Sequence, residues 1–320
     1  MNISAKVIAS GSYLPNKVLT NFDLSKMVDT TNEWIIERTG IKQRHIAETN
    51  QTTSDLGYMA CVDLFKNSTI SKDQIDMIIV ATTTPDLTFP STACIIQQKL
   101  EIKNAFAFDV QAVCSGFVYA LTIANNFIKT GSVKNALVVG CETLSKIVDW
   151  NDRNTCVLFG DGAGAVLLQA TEESNIGILA SSLNSDGSLN NILKTTGGVS
   201  SNQKSGFIEM QGKEVYKHAV EKMYSSIIST LEKSNLKPSD IDLLIPHQAN
   251  LRILNSVATR LNLPEEKVII TLDKHANTSA SSIPLAFDFA VKNNKIKKGD
   301  LVVFEALGGG LTWGTTIVRF

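Results

Sequence analysis

Two halves of the chain carry the same succession of motifs at a nearly constant offset. Ile75-Asp76-Met77-Ile78-Ile79 recurs as Ile241-Asp242-Leu243-Leu244-Ile245, each after a short polar stretch that could end a helix. Ile128-Lys129-Thr130-Gly131, followed by an apolar run over 136–140, recurs as Ile296-Lys297-Lys298-Gly299 followed by 301–304. Gly160-Asp161-Gly162-Ala163-Gly164 leads into 165–168, as Gly308-Gly309-Gly310 leads through Trp313-Gly314 into 315–318. A unit this long that occurs only twice predicts a pseudo-symmetric duplicated domain and excludes a solenoid. The last pair is offset by less than the others, which places an insertion near Cys141 to Cys156 in the first half.

Each half alternates buried-strand runs with helical segments, over 92–100, 117–129, 213–233 and 251–261. The fold class is therefore α/β. The halves are expected to divide as residues 1–172 and 173–320, and 320 residues suffice for a large core. A duplicated α/β chain sets its site where the halves meet, at the strand ends.

Composition narrows the function classes. The formal net charge is -1 with both signs scattered, so no nucleic-acid surface is expected. The stretch 111–128 lacks charge, but Gln111, Ser115, Asn125 and Asn126 interrupt it, and it reads as a helix buried in a large protein, not a membrane span. Residues 1–15 show no export pattern. The 5 cysteines lack CxxC spacing and any His/Cys cluster, which argues against a metal site, and their odd number argues against a disulfide framework. A cytoplasmic protein fits best.

Cys114 is the candidate nucleophile. It sits where the run Phe108-Asp109-Val110-Gln111-Ala112-Val113 gives way to a long apolar helix, with Ser115 and Gly116 clearing the turn. Unpaired amides and the positive helix end predict a thiol pKa below that of free cysteine. Cys61, Cys94, Cys141 and Cys156 read as inert fillers. In the second half, Pro246-His247-Gln248-Ala249-Asn250 follows a buried strand directly, which suits a pocket histidine, although a structural neutral His is the plainer alternative. His45, His218 and His275 have no such setting. Asn277 occupies the strand-to-helix position that roughly matches Cys114 in the repeat, and pseudo-symmetry would bring the two face to face. Taken alone, it would read as a helix cap. Gly160 to Gly164 lacks GxGxxG spacing and precedes a strand, so it reads as packing, not as a dinucleotide loop. Gly308-Gly309-Gly310 is either a tight turn or a bare backbone able to approach a substrate oxygen.

Together with the runs Ser10 to Pro15, Trp34-Ile35-Ile36-Glu37-Arg38-Thr39-Gly40-Ile41 and Gly308 to Gly314, the Cys114, His247 and Asn277 set resembles the thiolase-fold condensing enzymes, most closely the β-ketoacyl-[acyl-carrier-protein] synthase III family. The resemblance implies duplicated α/β halves in an αβαβα layering with two mixed sheets, and a homodimer. It implies a two-stage reaction with coenzyme A thioester as substrate and no separate cofactor or metal. Cys114 would take an acyl group, presumed acetyl, from acyl-coenzyme A. Malonyl-acyl-carrier-protein would then lose carbon dioxide while His247 and Asn277 donate hydrogen bonds to the enolate oxygen. The backbone amides of Cys114 and Gly309 would form the oxyanion hole. Thr30, Trp34, Arg38, Arg153, Gly212 and Asn250 would bind coenzyme A, with the adenine between Trp34 and Arg153. Phe159 would border the acyl pocket, and Phe89 would reach into the partner's. Lys217, Arg252 and Arg260 would form the acyl-carrier-protein patch. Three residues depart from the family pattern: Leu307 and Leu311 replace frequent aromatics, and Ala276 replaces a frequent glycine. These departures bear on chain-length preference, not on reaction type.

The order Cys, His, Asn, with His247 about 130 to 150 residues after Cys114, also fits a papain-like hydrolase. The papain signature around the cysteine is missing, and the nucleophile is far from the N-terminus. A biosynthetic thiolase would carry a second cysteine in its C-terminal glycine motif, and 308–314 has none. A non-catalytic acyl-carrier-binding relative would leave three buried polar groups with little to do.

Overall fold

Two stretches, Asn135–Thr143 and Leu301–Gly308, are buried at every position. A strand buried on both faces needs cover from both sides, and that requirement organises the molecule. The computed structural model describes residues 3–320. In chain order the strands are β1 (Ser4–Tyr13), β2 (Lys17–Thr20), β3 (Gln43–Ile46), β4 (Met77–Ala81), β5 (Phe106–Val110), β6 (Asn135–Thr143), β7 (Asp161–Thr171), β8 (Gly177–Ser185), β9 (Leu193–Thr195), β10 (Ile208–Met210), β11 (Leu243–Pro246), β12 (Leu301–Gly308) and β13 (Thr312–Arg319). The first sheet has the order β1-β7-β6-β4-β5 and the second β11-β12-β13-β8. Both are mixed: β4 runs parallel to β5 and β6, β11 parallel to β12, and the remaining pairs are antiparallel.

Read from the other end, the second sheet repeats the first: β8, β13, β12 and β11 stand for β1, β7, β6 and β4. The fifth strand survives as a single parallel bridge, Leu244 to Val268, where β4 meets β5 in the first half. Helices Thr53–Phe65 and Thr92–Leu100 cover the outside of the first sheet, and Gly212–Lys233 and Leu251–Arg260 the outside of the second. Between the sheets lie helices Gly116–Lys129 and Ser282–Lys292. One core cluster joins Ala81, Phe117 and Leu121 to Phe287, Val302 and Phe304 across this central layer. This is the expected αβαβα layering, and the stretch 111–128 supplies a central helix. No helix among the described residues is long and apolar enough to cross a membrane.

The expected insertion is present. In the second half β12 turns into β13 through Gly309, Gly310 and Leu311, whereas in the first half 17 residues of loop, turn and short helix separate β6 from β7, residues 144–160. Gly162 and Gly164 lie in strand β7 against Leu285 and Pro284 of the second central helix, so this glycine run serves close packing. A methyl group on Gly140 would collide with the Ala280 carbonyl, which is backbone and cannot step aside.

Gly140→Val is therefore expected to lower unfolding stability by about 3 kcal/mol, the upper range for overpacking a core. Gly187→Ala, which meets nothing within 4 Å, is expected to leave it unchanged. Thermal or urea unfolding of both variants checks this, and an unaltered Gly140→Val would mean the central layer is looser than described.

Candidate active site

The short 3-10 turns Val113–Ser115 and Ser279–Ser281 each lead into one of the central helices. They are repeat counterparts: the first residue of each, Val113 and Ser279, has a positive φ, of 48° and 51°. Cys114 therefore matches Ala280 in the repeat, and Asn277 lies three residues earlier than its presumed equivalence required. The two still meet. Cys114, His247 and Asn277 line one cavity of about 590 Å³, together with Phe159, Leu307, Arg38, Gly212, Asn250 and Arg252.

Each polar group is held by a neighbour absent from the sequence reading. Asn277 Oδ1 accepts a hydrogen bond from the Ser279 amide at 2.9 Å, which fixes the side-chain amide with Nδ2 as the remaining donor. The Asn277 backbone amide donates to the Leu158 carbonyl, so the first-half insertion positions it. His247 is 2 % exposed, and its Nδ1 lies 2.7 Å from Ser282 Oγ. That hydroxyl oxygen also accepts from the Gln248 amide at 3.2 Å, and we assign its own proton as donated to Nδ1. The proton of a neutral imidazole then sits on Nε2. Burial lowers the His247 pKa to about 3, so the ring is uncharged near neutral pH.

The thiol reverses expectation. Burial pushes the Cys114 pKa up to about 12; Ser279 opposes this, and the Glu142 carboxylate adds to it. The positive end of the helix does not prevail, because the cysteine sits inside the turn and is 5 % exposed. The Cys61 and Cys141 thiols are also raised by burial, and Cys156 is raised to about 11, as befits fillers. All 5 cysteines are free.

The glycine-rich strand end touches the cysteine directly. A methyl on Gly308 would lie 2.6 Å from the Cys114 amide nitrogen, and Gly309 abuts Val113. Both departures at this edge are apolar contacts: Leu307 lines the cavity and Leu311 is wholly buried. Ala276 adopts φ 61° and ψ -161°, a region that glycine tolerates and alanine does not.

At the mouth the expected coenzyme A residues divide. Arg38, Gly212 and Asn250 line the cavity, whereas Thr30, Trp34 and Arg153 stand outside it. The gap expected to take adenine between Trp34 and Arg153 is not open: the guanidinium carbons of both Arg38 and Arg153 lie 5.0 Å from the Trp34 ring centre, too near to admit a base. Arg153 also donates to the Asp29 carbonyl at 2.8 Å. Asn250 caps helix Leu251–Arg260 through the Arg252 amide and donates to the Arg38 carbonyl. Lys217 and Arg252 are exposed beside the mouth, but Arg260 is paired with Glu221 at 2.7 Å and stacked on Tyr224. Lys213, missed in the sequence reading, lines the cavity as well. Phe89 lies on the surface, 82 % exposed, and is not part of this chain's cavity. No group of three or more His, Cys, Asp or Glu suited to a metal ion occurs among the described residues.

Known proteins share this arrangement of sequence and fold. Family models for 3-oxoacyl-[acyl-carrier-protein (ACP)] synthase III and for its C-terminal part match residues 108–187 and 231–320. The β-ketoacyl-[acyl-carrier-protein] synthase III of Ehrlichia canis is 55% identical over 98% of both chains. The chain belongs to the β-ketoacyl-[acyl-carrier-protein] synthase III family. The crystal structure of the Aquifex aeolicus 3-oxoacyl-[acyl-carrier-protein] synthase III superposes with a TM-score of 0.94 at 48% identity, covering 99% of this chain and 100% of that one. The priming β-ketosynthase of the R1128 polyketide pathway superposes equally well, at 0.94, with 31% identity. The chain is thus a condensing acyltransferase of the thiolase fold, and the hydrolase and thiolase readings fall away.

Two outcomes follow from the geometry. Ala276→Gly is expected to raise unfolding stability by roughly 1 kcal/mol through relief of backbone strain, read by thermal unfolding. For His247, the folded pKa of about 3 lies below the unfolded value of 6.5, so the unfolded chain binds the extra proton and stability falls as pH drops from 6.5 toward 3. His247→Gln should flatten the stability profile in that window by about 1.4 kcal/mol per pH unit relative to the parent. Parallel profiles for the two proteins would show the imidazole to be accessible to protons.

Proposed function

We propose that this protein condenses an acyl-coenzyme A primer, acetyl in the first instance, with malonyl-acyl-carrier-protein to give 3-oxoacyl-acyl-carrier-protein, coenzyme A and carbon dioxide, with Cys114, His247 and Asn277 as the reacting set. The observation that carries this reading is the cavity itself: a thiol from the first half and two side chains from the second open into one chamber. Cys114 displaces coenzyme A from its thioester, and the proton lost from the thiol leaves on the coenzyme A sulfur. Decarboxylation of the malonyl thioester puts negative charge on the thioester oxygen. Nε2–H of His247 and Nδ2–H of Asn277, both side chains buried at the floor of the cavity, are the donors available to it. The enolate carbon attacks the Cys114 thioester, whose oxyanion falls to the amides of Cys114 and Gly309; collapse of this intermediate breaks the acyl carbon–sulfur bond and expels the Cys114 thiolate, which takes a proton from solvent.

Arg38, Gly212 and Asn250 would flank the pantetheine arm. Trp34, Arg153 and Thr30 would hold the nucleotide once Arg153 swings off the indole. Lys217 and Arg252 suit the acidic carrier protein, with Arg260 joining when Glu221 releases it. A homodimer fits two features: β5 is the open edge of the first sheet, with Phe106 exposed, and Phe89 projects from the loop beside it. Phe89 would then complete the acyl pocket, bordered by Phe159, of the second copy. Five free cysteines suit the cytoplasm.

Intact-protein mass spectrometry after incubation with a panel of acyl-coenzyme A thioesters tests the first stage. Cys114→Ala should gain no acyl mass. His247→Ala should still be acylated but lose about 10²- to 10³-fold in decarboxylation of malonyl-acyl-carrier-protein. Ser282→Ala, which frees the imidazole tautomer, should lose about tenfold in the same step and keep acylation. Normal decarboxylation by His247→Ala would remove it from the second stage.

A further inference from the structure

Glu142 is a fully buried carboxylate for which the reaction above has no use. It lies on β6, and its oxygens accept hydrogen bonds from the amides of Thr83 and Thr84 and from the hydroxyls of Thr82, Thr83 and Thr84, the shortest 2.6 Å from Thr84 Oγ1. An amide can only donate, so two amides and three hydroxyls trained on one carboxylate favour its ionised form. Burial acts against that form and raises the pKa of Glu142.

The nucleophile lies on the other side of one side chain. The turn Ser279–Ser281 packs against β6 on one side and against the turn Val113–Ser115 on the other. Ser279 Oγ is buried without a well-formed hydrogen bond, within reach of both the Cys114 thiol and the Glu142 carboxylate. The positive φ of Ser279 is what aims it there. Thr82 to Thr84 also open the surface loop that carries Phe89, so the carboxylate joins the turn behind the cysteine to the base of that loop.

We propose that Glu142 is a positioning residue for Cys114: acting across Ser279, it holds a fixed negative charge near the sulfur and keeps the resting cysteine as a thiol, shielded from stray electrophiles until a thioester is bound. This rests on Cys114 being the nucleophile. Other titratable groups around the cysteine do not supply the charge. His247 is neutral. Asp109, on β5, is directed to the amides of Thr92 and Ala93 at 2.7 Å. Glu305, on β12, is buried with no hydrogen-bond donor to stabilise a carboxylate, and burial raises its pKa well above that of a free carboxyl, toward the neutral form.

The test is the pH dependence of Cys114 alkylation by iodoacetamide in the full-length enzyme, read at that residue by peptide mass spectrometry. Glu142→Gln keeps the shape and removes the charge, so alkylation at pH 7.5 should rise about threefold and the profile move to lower pH. Glu142→Asp should keep a profile near the parent's. A folded Glu142→Gln whose profile is unmoved, or moved to higher pH, overturns the proposal and leaves Glu142 as an anchor for the threonine turn. Should Glu142→Gln not fold, Ser279→Ala carries the test: with the hydroxyl gone and the charge kept, alkylation should slow by about twofold, and no change overturns the proposal. Acetyl-coenzyme A loading of the parent enzyme is read in parallel. Failure to load Cys114 sinks the nucleophile assignment and leaves the alkylation comparison intact.

Discussion

Everything in this molecule depends on how closely backbone approaches backbone at its centre. Two turns, Val113–Ser115 and Ser279–Ser281, are pressed together between the sheets, and the strands that meet them can do so only as glycine. Gly140 leaves room for the Ala280 carbonyl, and Gly308 leaves room for the Cys114 amide. Because the second contact is to the amide of Cys114, the packing that holds the halves together also builds the floor of the cavity. A side chain at Gly308 would lower stability and displace the Cys114 amide through a single collision.

That packing sustains conformations that would not survive elsewhere. Val113, Ser279 and Ala276 all hold positive φ, and all three lie within two residues of Cys114 or Asn277. Each such residue costs on the order of 1–3 kcal/mol. The strain buys placement: the Ser279 turn frees its amide to fix Asn277, and the Val113 turn sets Cys114 against Gly308.

The repeat was legible because strands covered on both faces must be apolar throughout, so the two halves kept similar runs at β4 and β11 and at β6 and β12. That Cys114, His247 and Asn277 share one cavity was legible because strand ends and the turns that follow them leave sequence marks. What could not be read was second-layer chemistry. Ser282, Ser279 and Gln248 look like ordinary polar residues until the fold sets them beside His247 and Asn277. The thiol pKa was misjudged for a related reason: a helix start can be read from local sequence, but the burial of a turn depends on the opposite half of the chain.

The two groups that face each other at the floor of the cavity, the Cys114 thiol and the His247 imidazole, are both neutral at rest, and this suits the proposed order of events. In the proposed reaction acylation consumes the Cys114 sulfur as a base, so the proton its thiol loses has the departing coenzyme A thiolate as its acceptor, and a pKa pushed up to about 12 keeps that proton in place until then. His247, with a pKa of about 3, is a poor acceptor for that proton and keeps its own on Nε2. The imidazole would be left unchanged by the first stage of the proposed reaction and ready as a donor for the second, when the enolate forms. A histidine that had taken up the thiol proton would have to release it before the next step. In the proposed reaction deep burial would remove that requirement, with proton transfer assigned to the substrate thiol and hydrogen bonding to the protein.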